Sequence, residues 1–393
     1  MVTNTSQISS VMSTYSRFPV ALVKGKGSYV WDDQGNQFLD FTSGIATCNL
    51  GHVPNVVKEK LEEQLQNIWH CSNLYHIPNQ EKLAALLTAN SCGDQVFFCN
   101  SGAEANEAAI KLARRYTSKV KGEGSYEVIT FKQSFHGRTL ATLSATGQEK
   151  IQQGFAPLVP GFSYLPFNDF DALNELAIRK PAAVLLELVQ GEGGVIPADP
   201  DWVSKMAQIC QENDILLMVD EVQTGIGRTG TLFAYEHYGI EPDVISVAKG
   251  LGSGFPIGAI IAKEKAAKGF DPGSHGSTFG GNPLASAAGV ATISHIVESN
   301  LLSHVKEITE YLDLQLQELK EKFPLIKEVR GKGLLKGLVV EGDAPEIVKK
   351  AIGNKLLILT AGPNVLRILP PLTATKEEIN EFKEKLEKTF QSK

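Results

Sequence analysis

The chain has 393 residues, enough for two structural domains, and its 42% hydrophobic and 21% charged residues are those of a globular protein. A net charge of −6 without a long run of Lys or Arg argues against a polyanion-binding surface, so neither nucleic acid nor an anionic membrane is an expected partner. The five cysteines (Cys48, Cys71, Cys92, Cys99, Cys210) show neither CxxC nor Cys/His metal spacing, which predicts free thiols, no metal site and a cytoplasmic setting.

Met1–Ser10 is polar and rich in Ser and Thr, without the charged-then-apolar layout of a signal peptide. No apolar run approaches the ~20 residues of a membrane helix. Residues 20–42, with Gly25, Gly27 and Gly35 among short alternating stretches, predict a hairpin or meander. Strands are then expected at Gln95–Cys99, Glu127–Phe131, Ala182–Leu188, Ile215–Val219, Val244–Val247 and Gly258–Ala262, with helices such as Glu104–Lys119 and Pro200–Asn213 between them. This alternation predicts an α/β fold whose large domain has a mostly parallel central sheet covered by helices. Active sites of such sheets lie at the carboxyl ends of the strands. Beyond about residue 285 the pattern gives a helix at Asn300–Lys322, short strands at Gly333–Val340, Leu356–Leu359 and Val365–Ile368, and a last helix at Lys376–Gln391. That is the pattern of a smaller α+β domain. The expected division is 1–55 as an N-terminal segment packing with the small domain, 56–284 as the large domain and 285–393 as the small one.

Three strand ends carry chemistry. Gln95–Cys99 runs into Asn100-Ser101-Gly102-Ala103 and a helix, whose first free N–H groups suit a phosphate; a plain helix start with Ser101 as its cap reads the same way. Ile215–Val219 ends in Asp220, either a turn cap or a carboxylate that keeps a heterocyclic nitrogen protonated. Val244–Val247 leads through Ala248 to Lys249 and a glycine-rich loop. A lysine there is either a surface residue or a buried amine relieved of its charge as a Schiff base. Lys249 follows Asp220 by 29 residues, enough for one crossover and the next strand, which brings both to one sheet edge.

With these stand Gly51-His52, Ser72-Asn73-Leu74-Tyr75, Asn100–Glu107, Phe135-His136-Gly137-Arg138-Thr139, Gln190–Gly194, Asp220–Gly225, Ala248-Lys249-Gly250 and Ser277–Pro283. From about Tyr15 to Pro371 the combination resembles the fold-type I, class III pyridoxal-phosphate (PLP)-dependent aminotransferases, and within them the acetylornithine aminotransferases. The resemblance implies that Lys249 holds PLP and moves protons in ping-pong amino transfer. It further implies that Asp220 pairs with the pyridine nitrogen and that Gly102 and Ala103, with Ser101 nearby, bind the phosphate. Phe135 and Val222 would lie on the two faces of the ring, with Gln223 near its 3′-oxygen. Thr278 would reach the phosphate of a neighbouring subunit's cofactor, making the chain a homodimer with shared active sites.

For substrates, the resemblance implies N-acetylornithine as amino donor and 2-oxoglutarate as acceptor, in arginine biosynthesis. Arg138 is the candidate carboxylate clamp, Arg367 the second arginine, and Glu192 its switch partner. Ile45 stands where ornithine aminotransferases have a tyrosine, which favours an acylated donor, and Tyr15 and Arg17 are placed near the donor's distal end. Glu187 is followed by Leu188 where a proline is common, and His76 stands where many relatives have a second tyrosine. Another ω-aminotransferase, acting on succinylornithine, ornithine, 4-aminobutyrate or an acyl-lysine, is the nearest alternative. A PLP-dependent racemase or mutase fits the Arg367–Glu192 pair less well, and a PLP-binding regulator would need a basic helix-turn-helix segment that is missing here.

Overall fold

Short, wholly buried apolar runs form the centre of the molecule in the computed structural model, which describes residues 10–122 and 124–391. The reading of Met1–Ser10 as polar and leaderless therefore lies almost entirely outside the described residues. Val128–Phe131, Ala183–Leu186, Leu216–Asp220, Val244–Val247 and Gly258–Ala262 are buried at every position, the signature of strands covered on both faces. They belong to a seven-stranded sheet in the order Gln95–Cys99, Gly258–Ala262, Val244–Val247, Leu216–Asp220, Ala183–Leu186, Val128–Phe131, Phe162–Leu165. Gly258–Ala262 runs antiparallel to both neighbours and every other pairing is parallel.

The covering helices are set by their caps and small residues. Ser101 caps Gly102–Arg115, whose buried Ala105, Ala108, Ala109 and Leu112 face the sheet. Asp199 accepts the amides of Asp201 and Trp202 at 2.9 Å each to start Pro200–Glu212, with Pro200 in the first turn. Trp202 is fully buried, edge-on to Phe131 at 4.9 Å between ring centroids. The helix Pro283–Glu298, which crosses the expected boundary at residue 285, packs on Asn55–Leu65 and Pro78–Ala89.

Leu22–Lys26, Tyr29–Asp32 and Gln37–Asp40 form the expected meander, and Leu356–Leu357 extends it by pairing in parallel with Leu39 and Asp40. A second four-stranded sheet contains Ile326–Lys332, Leu335–Val340, Val365–Ile368 and Leu359–Thr360. The single strand expected at Leu356–Leu359 is thus two strands in two sheets, because the chain crosses between them at buried Ile358. The strand expected at Ala182–Leu188 stops at Leu186, and Val189–Gln190 pairs instead with Ile196–Pro197. The helix expected to run to Lys119 is α-helical to Arg115 and continues as a wider turn over Tyr116–Val120. The edge strand Phe162–Leu165 was not foreseen; it is only half-buried at three of four positions. Among the described residues no helix is long and apolar enough to cross a membrane.

Candidate active site

The carboxyl ends of Leu216–Asp220 and Val244–Val247 lie side by side, with Asp220 in register with Ser246, so Asp220 and Lys249 emerge at the same sheet edge. Ser101 and Gly102 arrive there because Cys99 pairs with Gly258 at the end of the antiparallel strand. These loops enclose a cavity of about 430 Å³ lined by Ser101, Gly102, Ala103, Phe135, Arg138, Glu192, Asp220, Val222, Gln223 and Lys249. A larger cleft of about 1490 Å³ shares Phe135, Arg138 and Glu192 with it and is walled by loops around Gln148 and Pro363.

At one end, Ser101 caps the helix by accepting the Glu104 amide at 3.3 Å. The amides of Gly102 and Ala103 precede the first intrahelical bonds and remain available to an anion. Gly102 is required here, since a Cβ would come within 2.6 Å of Val222 Cγ1. At the floor, Asp220 is 4% exposed; its Oδ2 accepts from Asn106 Nδ2 at 2.7 Å and pairs with His136 Nδ1 at 2.9 Å. Among the described residues its Oδ1 accepts only the Val222 amide, at 3.0 Å, which leaves capacity for another donor. Asn106 and His136 lie within motifs singled out in the sequence, but their contact with Asp220 becomes visible only in the fold.

Lys249 takes a left-handed backbone, with φ of 43°. Burial pushes its amine down to about 8, opposed by the charge of Glu192 and assisted by that of Arg367. Such an amine is partly neutral, hence nucleophilic, near neutral pH. Burial, with the charge of Asp220, holds the Glu187 carboxyl well above the usual carboxylate range, and Glu187 accepts the Phe135 amide at 2.9 Å. Burial thus favours the protonated form of this carboxyl, which braces Phe135, a role no sequence pattern announced.

Arg138 is exposed in the cavity mouth, its guanidinium 5.6 Å from the Phe135 ring centroid. Arg367, 2% exposed on Val365–Ile368, makes an ion pair with Glu192 and approaches Gln223 Oε1 at 3.4 Å. Burial pushes Glu192 up, but the charge and hydrogen bond of Arg367 outweigh it and hold the carboxyl below its ordinary value. Arg367 and Ile45 are not among the residues lining the cavity, although Thr47 is. Ile45 is 40% exposed within a left-handed turn. Tyr15 and Arg17 are exposed and stacked on each other at 5.8 Å, and Thr278 is also exposed; none of the three lines the cavity within a single chain.

Free helix-end amides, a buried carboxylate with spare acceptor capacity and an amine of lowered basicity together fit PLP, a phosphorylated pyridine aldehyde. The family model for class-III aminotransferases matches residues 11–390. The chain is 60% identical over 379 residues to an acetylornithine aminotransferase of Oceanobacillus iheyensis, covering 96% of this chain and 95% of that one. It is 51% identical to one from Bacillus subtilis, covering 98% of both. Among solved structures it is similar to N-acetylornithine aminotransferase of Stenotrophomonas maltophilia, with a TM-score of 0.85, 38% identity and coverage of 96% and 97%. Ornithine aminotransferase of Toxoplasma gondii superposes with a TM-score of 0.92 at 33% identity, covering 97% of this chain and 92% of that one. The chain belongs to the class-III aminotransferases, PLP-dependent transaminases of the fold-type I α/β architecture.

Proposed function

We propose that this aminotransferase moves the ω-amino group of N2-acetyl-L-ornithine to 2-oxoglutarate, giving N-acetyl-L-glutamate 5-semialdehyde and L-glutamate. The observation that carries the reading is Arg367 buried against Glu192 beside a cavity that also holds Lys249 and an exposed Arg138. Two arginines, one of them covered by a carboxylate, suit a site that must take a monocarboxylate and a dicarboxylate in turn. Arg138 clamps the sole carboxylate of N-acetylornithine and, in its turn, the carboxylate of 2-oxoglutarate farther from the reacting carbon. Glu192 neutralises Arg367 while the ω-amine reacts and leaves it when the α-carboxylate of 2-oxoglutarate enters.

Lys249, the Gly102 and Ala103 amides and Asp220 would hold PLP at its aldehyde carbon, phosphate and pyridine nitrogen, with Ser101 beside the phosphate. Phe135 and Val222 would flank the ring and Gln223 would lie near its 3′-oxygen. Bound there, the cofactor supplies an electron sink for the electron pair left when the amine-bearing carbon loses its proton. Lys249 Nζ takes that proton and returns it elsewhere, as a general base and acid whose lowered pKa matches the task. Asp220, fixed by Asn106 and His136, would keep a proton on the ring nitrogen.

Trp69, Leu74, Tyr75 and Phe279 are 61%, 88%, 71% and 58% exposed, and Asn73 joins their two segments by donating to Ser277 and Gly280 carbonyls at 3.0 Å. Such a surface supports a homodimer in which Thr278 serves the partner's cofactor. We read the described residues 10–55 as packing with a small domain over 285–391, and 56–284 as the large domain. A cytoplasmic location accords with the reading.

The test is glutamate formation from 2-oxoglutarate with a panel of donors. N-acetylornithine is expected to exceed ornithine and 4-aminobutyrate by at least about tenfold in kcat/KM. A preference for ornithine is the second reading, favoured by the closer superposition on an ornithine aminotransferase; Ile45, which has no hydroxyl to hold a free α-amine, stands against it.

A further inference from the structure

Asn49 and Arg228 do not line the cavity, yet they are 1% and 0% exposed and touch the segments that build it. Asn49 Nδ2 donates to the Ile226 carbonyl at 2.7 Å, and its Oδ1 accepts from Arg228 Nη2 at 2.9 Å. Arg228 Nη1 donates to the carbonyls of Leu334, at 3.2 Å, and Pro370. The Leu372 amide donates to the Asn49 carbonyl at 2.8 Å, and the Leu50 amide to Ser253 Oγ at 2.9 Å. The Asn49 side chain also presses on Gly250, where a Cβ would fall within 2.2 Å of Asn49 Nδ2. Gly250 follows Lys249, and Pro370 stands three residues beyond Arg367.

Packing alone does not call for this arrangement. All three acceptors of Arg228 are neutral, its Nε has no partner among the described residues, and burial, only partly opposed by Cys48, pushes the guanidinium down to about 9. A buried charge so poorly compensated is generally less stable than an apolar side chain of similar volume. What the guanidinium adds is a rigid fork that reaches two carbonyls and an amide at once.

We propose that Asn49 and Arg228 are positioning residues for amino transfer: the amide fixes the Lys249–Gly250 turn, and the guanidinium ties that turn to the segment carrying Arg367. The amine and the carboxylate-binding arginine then keep one mutual placement through both half-reactions. The inference rests on Lys249 being the residue that holds PLP.

The experiment uses the full-length protein and its Asn49→Ala and Arg228→Lys variants. Borohydride reduction of the wild-type holoenzyme and peptide mapping come first; PLP attached elsewhere than Lys249 overturns the site reading itself. The PLP-stripped proteins are then acylated with acetic anhydride across a pH series, and Lys249 modification is read by mass spectrometry. Besides burial, Glu192, Arg367, Asp220 and Glu187 act on this amine, and none of them is altered. Wild type should be half-modified near pH 8. A loosened turn admits water, so Asn49→Ala should move that midpoint up by at least about half a unit. kcat should fall about tenfold or more, while the KM for N-acetylornithine changes less than about threefold. Arg228→Lys should behave alike, because an ammonium cannot replace the fork. If Asn49→Ala does not fold, Asn49→Ser, which keeps an acceptor for Arg228, carries the same expectations. Variants that lose thermal stability but keep the wild-type Lys249 profile and kcat would overturn the inference and leave the pair a purely structural one.

Discussion

Lys249 is an expensive residue for the fold to hold without cofactor. An amine depressed to about 8 from an ordinary 10.5 holds fewer protons in the folded than in the unfolded chain between those two pH values. Stability therefore rises with pH across that window, and the full penalty is present below pH 8. Cofactor-free Lys249→Met should consequently be more stable than cofactor-free wild type at pH 7, by about 1–3 kcal/mol, with the difference vanishing above about pH 10.5. Urea unfolding at several pH values measures this; a difference that grows with pH would contradict it. Glu192→Gln removes the charge that covers Arg367, so the KM for 2-oxoglutarate should fall while kcat/KM for N-acetylornithine drops about tenfold, read from steady-state kinetics of each substrate.

Among the elements, the turn Ser43–Ala46 stands out, because Ser43, Gly44, Ile45 and Ala46 all have positive φ, between 46° and 64°. Left-handed backbone at an L-residue costs about 1–2 kcal/mol, most for a β-branched side chain. Asp40 Oδ1 holds the turn's start through the Thr42 amide and hydroxyl at 2.8 and 2.6 Å, and Ser43 Oγ donates to the Leu369 carbonyl at 2.6 Å. Strain so anchored beside a cavity is a mark of a functional segment. Ile45→Gly should stabilise the protein by about 1 kcal/mol in urea unfolding while narrowing its preference for N-acetylornithine over ornithine; a destabilised variant with unchanged preference would refute this. Element by element, the buried strands were legible because an apolar run ending in Asp220 or leading to Lys249 has few other meanings. Leu356–Leu359 was not, since a crossing between two sheets leaves no trace in hydrophobicity. The contacts of Glu187, Asn106 and His136 were not legible either, because what they touch depends on strand order rather than spacing.

Across the whole molecule, one chain brings Lys249, Asp220, Arg138 and the helix-end amides together but leaves Thr278, Tyr15 and Arg17 at the surface. Resemblance rather than periodicity pointed to Thr278 as a partner-site residue and to Tyr15 and Arg17 at the donor's distal end, since such contacts leave no local signature in hydrophobicity. A shared site makes a specific prediction: mixing unfolded Lys249→Ala and Thr278→Ala chains and refolding them together should restore up to about one quarter of wild-type activity, because half of the dimers then hold one intact site. No recovery above the parent variants would mean that Thr278 acts within its own chain or not at all. Alternate amino transfer at Lys249 with these two substrates can be followed in the visible absorbance of the PLP-loaded protein. Mixed with N-acetylornithine and no keto acid, it should lose its yellow band and regain it on addition of 2-oxoglutarate. A band unmoved by N-acetylornithine, but bleached by succinylornithine or 4-aminobutyrate, would rule out N-acetylornithine as the amino donor.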